Sequence, residues 1–203
     1  MELESPPKLS ANPRRRLIAK KRGMIQVIFG PMFSGKTTEL LRRIRRYNIR
    51  DDHCILLKTR DTRYTDDFDK VVSHDQTNWL GGVACDRLFD EVEAAKIADV
   101  IGIDEGQFFP DLAEFCEAMA QLGKVVIVAA LDSDYRREAF GNILSIVPKA
   151  ESVTKLSSIC YLCKEDAAFT ARLTAETEVK VVGALDKYRP VCRTCYAESH
   201  CNK

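Results

Sequence analysis

Hydrophobic positions fall into two patterns along this chain. Short, nearly unbroken apolar runs occur at Met24–Phe29, Cys54–Lys58, Val100–Ile103 and Val125–Leu131. Each reads as a strand buried on both faces, as strands of a parallel sheet are. Between them, apolar residues recur three or four apart. Thr37, Leu40, Leu41, Ile44 and Tyr47 form one such stripe, and Leu88, Val92, Ala95 and Ile97 a second. Leu112, Phe115, Cys116 and Met119 form a third, with Cys116 read as core. That spacing predicts helices after the first strand, over 86–98, and from Asp111 onward. A further helix is predicted from about Arg137 to Val147, and a short strand over Val71–His74. Strand and helix alternate, so the fold class is α/β with a mostly parallel sheet and helices on both faces. Asp111 with Glu114, following Pro110, reads as a capping-box start. Arg42, Arg43, Arg45 and Arg46, towards the end of the first helix, complement its dipole.

Composition narrows the picture. A chain of 203 residues holds one α/β domain and a small appendage, and 45% hydrophobic residues supply a core. A formal net charge of +1 argues against dedicated nucleic-acid binding. No run approaches the ~18 apolar residues of a membrane span, and no apolar signal core opens the chain. Eight cysteines in such a chain point to reduced thiols or metal ligands rather than disulfides, and to a cytoplasmic location. Residues 1–23 read as a disordered basic tail, with prolines at 6, 7 and 13 and basic clusters at 14–16 and 20–22. That tail is a solvated segment, a nuclear-import address or a weak polyanion contact. The expected organisation is then 24–150 as the sheet domain, 151–197 as a cysteine-bearing domain and 198–203 as a tail.

The candidate chemistry begins at Gly30-Pro31-Met32-Phe33-Ser34-Gly35-Lys36-Thr37, which matches G-x-x-x-x-G-K-[ST] between a predicted strand and a predicted helix. Such a loop turns backbone N–H groups toward one point, and the helix N-terminus adds partial positive charge. Lys36 supplies a full charge for β- and γ-phosphates, and the Thr37 hydroxyl a ligand for Mg²⁺. The apolar strand 100–103 ends in Asp104-Glu105, the second half of a nucleotide site. Asp104 is the expected Mg²⁺ partner. Glu105, read as pointing to the other side of an extended backbone, is the expected general base. Arg63, in the polar loop after the second strand, is a candidate for charge on the transferring phosphoryl group. Tyr135, Phe140, Phe108 and Phe109 lie just past the same predicted edge and either sandwich a planar ring or pack the core.

Cys160-x-x-Cys163 and Cys192-x-x-Cys195 offer the four soft ligands of tetrahedral zinc, with a redox role as the alternative. The 28 residues between the pairs suggest a metal-pinned neck carrying a long loop. Its extended run Val179–Gly183 could offer backbone groups to a substrate as a lid.

These motifs, together with Asp61-Thr62-Arg63 and Asp104-Glu105-Gly106-Gln107-Phe108-Phe109, resemble in order those of the cytosolic (type II) thymidine kinases over about 24–196. The resemblance implies a RecA-like P-loop domain with a small zinc-binding lasso domain. It implies transfer of the γ-phosphoryl of ATP to the 5′-hydroxyl of thymidine or deoxyuridine. Carried over, Glu105 is the base, and Gly30 to Thr37, Asp61, Thr62, Arg63, Asp104, Gly106 and Gln107 bind ATP. Met32, Phe108, Leu131, Tyr135, Phe140 and Thr170 line the nucleoside pocket, with Val179, Lys180, Val181, Val182, Gly183 and Tyr188 from the lasso. Structural zinc, Mg²⁺ with ATP, a homotetramer and feedback inhibition by dTTP are further implications. Tyr135 stands where vertebrate members carry phenylalanine. A P-loop ATPase gripping nucleic acid through a zinc module is the rival reading, opposed by the near-neutral charge. A metal-stabilised interaction module with a dead nucleotide site is the third.

Overall fold

The computed structural model describes residues 23–60, 70–72, 78–80, 82–174 and 186–201. The expectations for 1–22, for Asp61, Thr62 and Arg63, and for Val179 to Gly183 lie outside the described residues. The chain runs β1 (Met24–Phe29), α1 (Lys36–Asn48), β2 (Cys54–Thr59), β3 (Lys70–Val72), β4 (Asn78–Leu80) and β5 (Gly82–Cys85). It continues through α2 (Val92–Ile97), β6 (Val100–Ile103), α3 (Leu112–Gln121), β7 (Val125–Ala130) and β8 (Ser152–Lys155). Four short strands follow, β9 (Ser158–Ile159), β10 (Asp166–Ala167), β11 (Phe169–Arg172) and β12 (Tyr188–Val191), then α4 (Arg193–Cys201).

Six strands form one sheet in the order β5-β2-β6-β7-β1-β8, every pair parallel. The order explains the uninterrupted apolar runs. Alternate residues of one strand feed two different cores. Val27, Phe29, Ile101, Ile103, Val126 and Val128 pack with α2 and α3 on one face. Ile28, Leu56, Val100, Ile127 and Ala129 pack with Leu40, Leu41 and Ile44 of α1 on the other. Helices on both faces are therefore present, as the periodicity predicts. β1, β6 and β7 are neighbours, so their carboxyl ends open side by side. That is where open α/β sheets place ligands.

Four local expectations change. The helix predicted over 86–98 divides into a 3-10 helix, Leu88–Glu91, and α2, and Ile97 is 73% exposed rather than part of the stripe. Asp111 does not cap α3 with its side chain. Its carboxylate instead accepts the amides of Leu88 and Phe89, at 3.2 and 3.1 Å, and so caps the upstream 3-10 turn. The predicted helix 137–147 is replaced by a turn closed by a Ser133–Ala139 bridge and a 3-10 helix, Ile143–Lys149. Arg137 and Gly141 take left-handed backbones within that stretch, φ 65° and 58°, which an α-helix cannot hold. Only Arg45 and Arg46 lie in the last turn of α1. Arg42 and Arg43 pair with Glu39, and Arg43 also reaches Gln26 and Thr154, tying α1 to β1 and β8.

β9–β10 and β11–β12 are antiparallel pairs outside the sheet. With α4 they enclose a separate small core of Cys160, Ala167, Ala171, Val191, Cys195 and Tyr196. In the main core, Phe115 is fully buried and meets Phe89 edge-on at 5.4 Å. Phe115→Ala is expected to cost about 3–5 kcal/mol, read as a lowered urea midpoint at unchanged slope.

Candidate active site

β1 delivers the phosphate loop. It leaves the strand so close to β8 that a Cβ on Gly30 would lie 2.8 Å from the Leu156 carbonyl oxygen. Phe33 has a left-handed backbone, φ 64°, which costs a non-glycine residue on the order of 1 kcal/mol. The loop is bonded to itself and to its surroundings. Lys36 Nζ and Ser34 Oγ both donate to the Pro31 carbonyl, at 2.8 and 2.9 Å. The Met32 amide donates to Thr170 Oγ1 at 3.0 Å, and Ser158 Oγ donates to the Phe33 carbonyl at 3.1 Å.

β6 delivers the acids. Thr37 Oγ1 donates to the Asp104 carboxylate at 3.1 Å, so the two expected Mg²⁺ partners are in contact. A hydroxyl and a carboxylate oxygen this close form an all-oxygen donor set that suits Mg²⁺. Glu105 is not on an extended backbone as predicted. It is left-handed, φ 55° and ψ 41°, and its amide turns back onto Asp104 Oδ1 at 3.1 Å. That kink, rather than strand alternation, separates the two carboxylates. Gln107 is 4% exposed. It donates to Glu105 Oε2 at 2.6 Å while its own oxygen accepts the Leu131 amide at 3.0 Å. Glu105 is thus fixed to the end of β7. Gly106 is buried where a Cβ would meet Val128 at 2.7 Å, which accounts for glycine there.

Burial lowers the Lys36 ammonium, while the charges of Glu105, Asp104 and Asp132 raise it. Lys36 therefore shares a charge cluster with both candidate acids. Burial and then the Glu105 charge push Asp104 up to about 7, against the Thr37 hydrogen bond, the Glu105 amide and the Lys36 charge. Asp132 lies two residues past the end of β7, near the edge where Asp104 directly follows β6, a signal not weighed for it in the sequence. One of its oxygens pairs with Lys155 at 2.6 Å, and the other is buried with no partner among the described residues.

The aromatic candidates divide. Phe108 and Phe140 meet edge to face at 5.4 Å, and both are half-buried. Phe109 is 1% exposed and belongs to the core. Tyr135 lies under the Arg172 guanidinium at 3.8 Å, and Arg172 donates to the Tyr188 hydroxyl at 2.6 Å. Thr170 and Arg172 share one face of β11, so that face touches both the phosphate loop and Tyr135. Arg172 had no motif to reveal it.

The four expected cysteines converge. Sγ atoms of Cys160, Cys163, Cys192 and Cys195 all lie within 4.8 Å of one another. Tetrahedral zinc places its sulfurs roughly 3.8 Å apart, and Cys163 and Cys192 are 3.6 Å apart. Burial opposes ionisation of Cys160, yet amides of Cys163, Cys192 and Leu162 bring its thiol down to about 6. A thiolate cradled by amides suits a metal ligand. Burial pushes Cys54 and Cys85 up to about 11 and 12, as inert thiols.

A thymidine kinase family model matches residues 23–196. The chain belongs to the thymidine kinase family. It is 55% identical to the cytosolic thymidine kinase of Cricetulus griseus over 88% of this chain and 75% of that one. It is 54% identical to that of Homo sapiens over the same shares. Against the thymidine kinase of Variola virus it is 49% identical over 87% of this chain and 98% of the viral one. The flagellar accessory protein FlaH of Methanocaldococcus jannaschii gives a TM-score of 0.47 at 15% identity, covering 84% of this chain and 82% of FlaH. That likeness is too distant to bear on function. Among the described residues, no helix is long and apolar enough to cross a membrane.

A carboxyl group whose pKa rises on folding binds its proton more tightly in the native state. Its ionisation then costs stability as pH climbs from about 4 towards about 7, and the whole cost is present above that. Asp104→Asn is therefore expected to raise the thermal midpoint of nucleotide- and magnesium-free protein above about pH 7. The gap to wild type should close as the pH falls towards about 4.

Proposed function

We propose that this chain is an ATP-dependent thymidine kinase in which Glu105 deprotonates the 5′-hydroxyl. The observation that carries the reading is the Glu105 carboxylate, pinned by Gln107, within the charge cluster of Lys36 and beside the Thr37–Asp104 pair. In-line phosphoryl transfer asks little covalent chemistry of the protein. Positioning and charge supply the acceleration.

The loop 30–37 receives the β- and γ-phosphates. Lys36 releases the Pro31 carbonyl to meet them, and the amides beyond Phe33 supply the remaining donors. Thr37 and Asp104 would hold Mg²⁺, which supplies positive charge to the phosphoryl oxygens when bound. Asp61, Thr62 and Arg63 extend the ATP side. The nucleoside lies across Met32, Phe108, Phe140, Leu131 and Tyr135, between the edge of the sheet and the face of β11 that bears Thr170. Tyr188 and the run 179–183 cover it. The 5′-oxygen gives its proton to Glu105 as it attacks the γ-phosphorus, and ADP leaves on the opposite side.

Deoxyuridine, which lacks only the 5-methyl group, is a second acceptor. The product dTMP feeds pyrimidine deoxynucleotide salvage. The four thiols hold a structural zinc, the protein works in the cytoplasm as a homotetramer, and dTTP inhibits it as a molecule that spans both subsites.

Glu105→Gln keeps the size and the contact with Gln107 but cannot take a proton. It is expected to leave ATP binding within about twofold and to lower kcat by roughly 10²-fold or more, measured as dTMP formation by mass. Near-normal turnover would end the base assignment. Elemental analysis is expected to return one zinc per chain, lost together with cooperative unfolding in Cys192→Ser.

A further inference from the structure

The phosphate loop is gripped from outside at two consecutive residues. Met32 gives its amide to Thr170, and Phe33 gives its carbonyl to Ser158. Both gripping hydroxyls are buried, Ser158 at 8% and Thr170 at 5% exposure. Neither belongs to the sheet domain that carries the loop. Ser158, on β9, lies two residues before Cys160. Thr170, on β11, pairs in register with Pro190 of β12, two residues before Cys192. Ser158 is thus two residues from one cysteine of the four-thiol cluster, and Thr170 lies across the ladder from a residue two before another. The Tyr161 amide donates to the Pro190 carbonyl at 2.9 Å and locks the two sides together.

What is gripped matters. Phe33 is the non-glycine residue of the loop held at positive φ, 64°. Such a conformation persists only where its surroundings over-determine it. Within the loop, the side chains of Ser34 and Lys36 converge on the Pro31 carbonyl instead. The direction taken at Phe33 decides where the amides of Ser34, Gly35 and Lys36 face. Those amides are the loop's anion donors.

We propose that Ser158, with Thr170, is a positioning residue for the phosphate loop, through which the cysteine module sets the affinity for ATP. The inference rests on the reading of this loop as the ATP phosphate site. Ser158 holds the Phe33 carbonyl so that the loop stays in its anion-receiving shape before nucleotide arrives. Without that bond the positive-φ conformation is less firmly held, and part of the binding energy goes into restoring it.

The test is calorimetric binding of a non-hydrolysable ATP analogue to full-length, metal-loaded protein, with thymidine binding measured separately. Ser158→Ala is expected to weaken the analogue about fivefold, the size of one lost hydrogen bond. Ser158→Thr, which keeps the hydroxyl, should return it to within about twofold, and thymidine should bind Ser158→Ala within about twofold of wild type. Glycine takes positive φ without support. In a Phe33→Gly background, Ser158→Ala should therefore cost less than about twofold. An analogue affinity unchanged in Ser158→Ala overturns the proposal. So does an equal loss for analogue and thymidine, or a full fivefold loss in the Phe33→Gly background. Wild-type protein that fails to bind the analogue contradicts the phosphate-loop reading itself. Wild-type binding with an unaffected Ser158→Ala contradicts the positioning role alone.

Discussion

Holding opposite charges together at the carboxyl edge of β1, β6 and β7 is the constraint on which the site depends. Lys36 lies in the fields of Glu105, Asp104 and Asp132, with Lys155 paired to the last. Charges removed from water are tolerated only when paired and hydrogen-bonded. Three carboxylates against two ammonium groups leave an excess of negative charge. Burial first, and then the Glu105 charge, hold the Asp104 proton to about 7. The parallel sheet makes the arrangement possible because the three strand ends point the same way. An antiparallel neighbour would have carried one of these groups to the far edge.

Much of this was legible in the sequence because the signals are local. Runs buried on both faces identify parallel strands, and the glycine-bounded loop with Lys36 and Thr37 needs only its strand and helix to be placed. The four cysteines were legible for the same reason, since two C-x-x-C pairs leave soft-metal chemistry few other forms. The contact between Thr37 and Asp104 joins residues 67 positions apart and followed from matching the two halves of one site.

The rest depends on contacts that no local pattern encodes. Asp111 reads as a cap for its own helix, yet tertiary packing presents it two free amides at Leu88 and Phe89, and it caps those instead. The stretch after Tyr135 reads as a helix, but left-handed residues at Arg137 and Gly141 and the Ser133–Ala139 bridge interrupt it. Glu105 was assigned its direction from strand alternation, and it reaches its place through a left-handed turn. Arg172 became visible only when β11 brought its guanidinium over Tyr135. The bonds from Ser158 and Thr170 span more than a hundred residues each and link the four-cysteine module to the glycine-bounded loop.

In the proposed reaction two substrates meet at Glu105. A crystal structure with a non-hydrolysable ATP analogue and thymidine bound tests it most directly. It should place the 5′-oxygen of the nucleoside within about 2.6–3.2 Å of a Glu105 carboxylate oxygen, with the terminal phosphate in the loop 30–37 beside Lys36. A nucleoside bound elsewhere, or a Glu105 carboxylate facing away from that oxygen with the phosphates outside the loop, would contradict it.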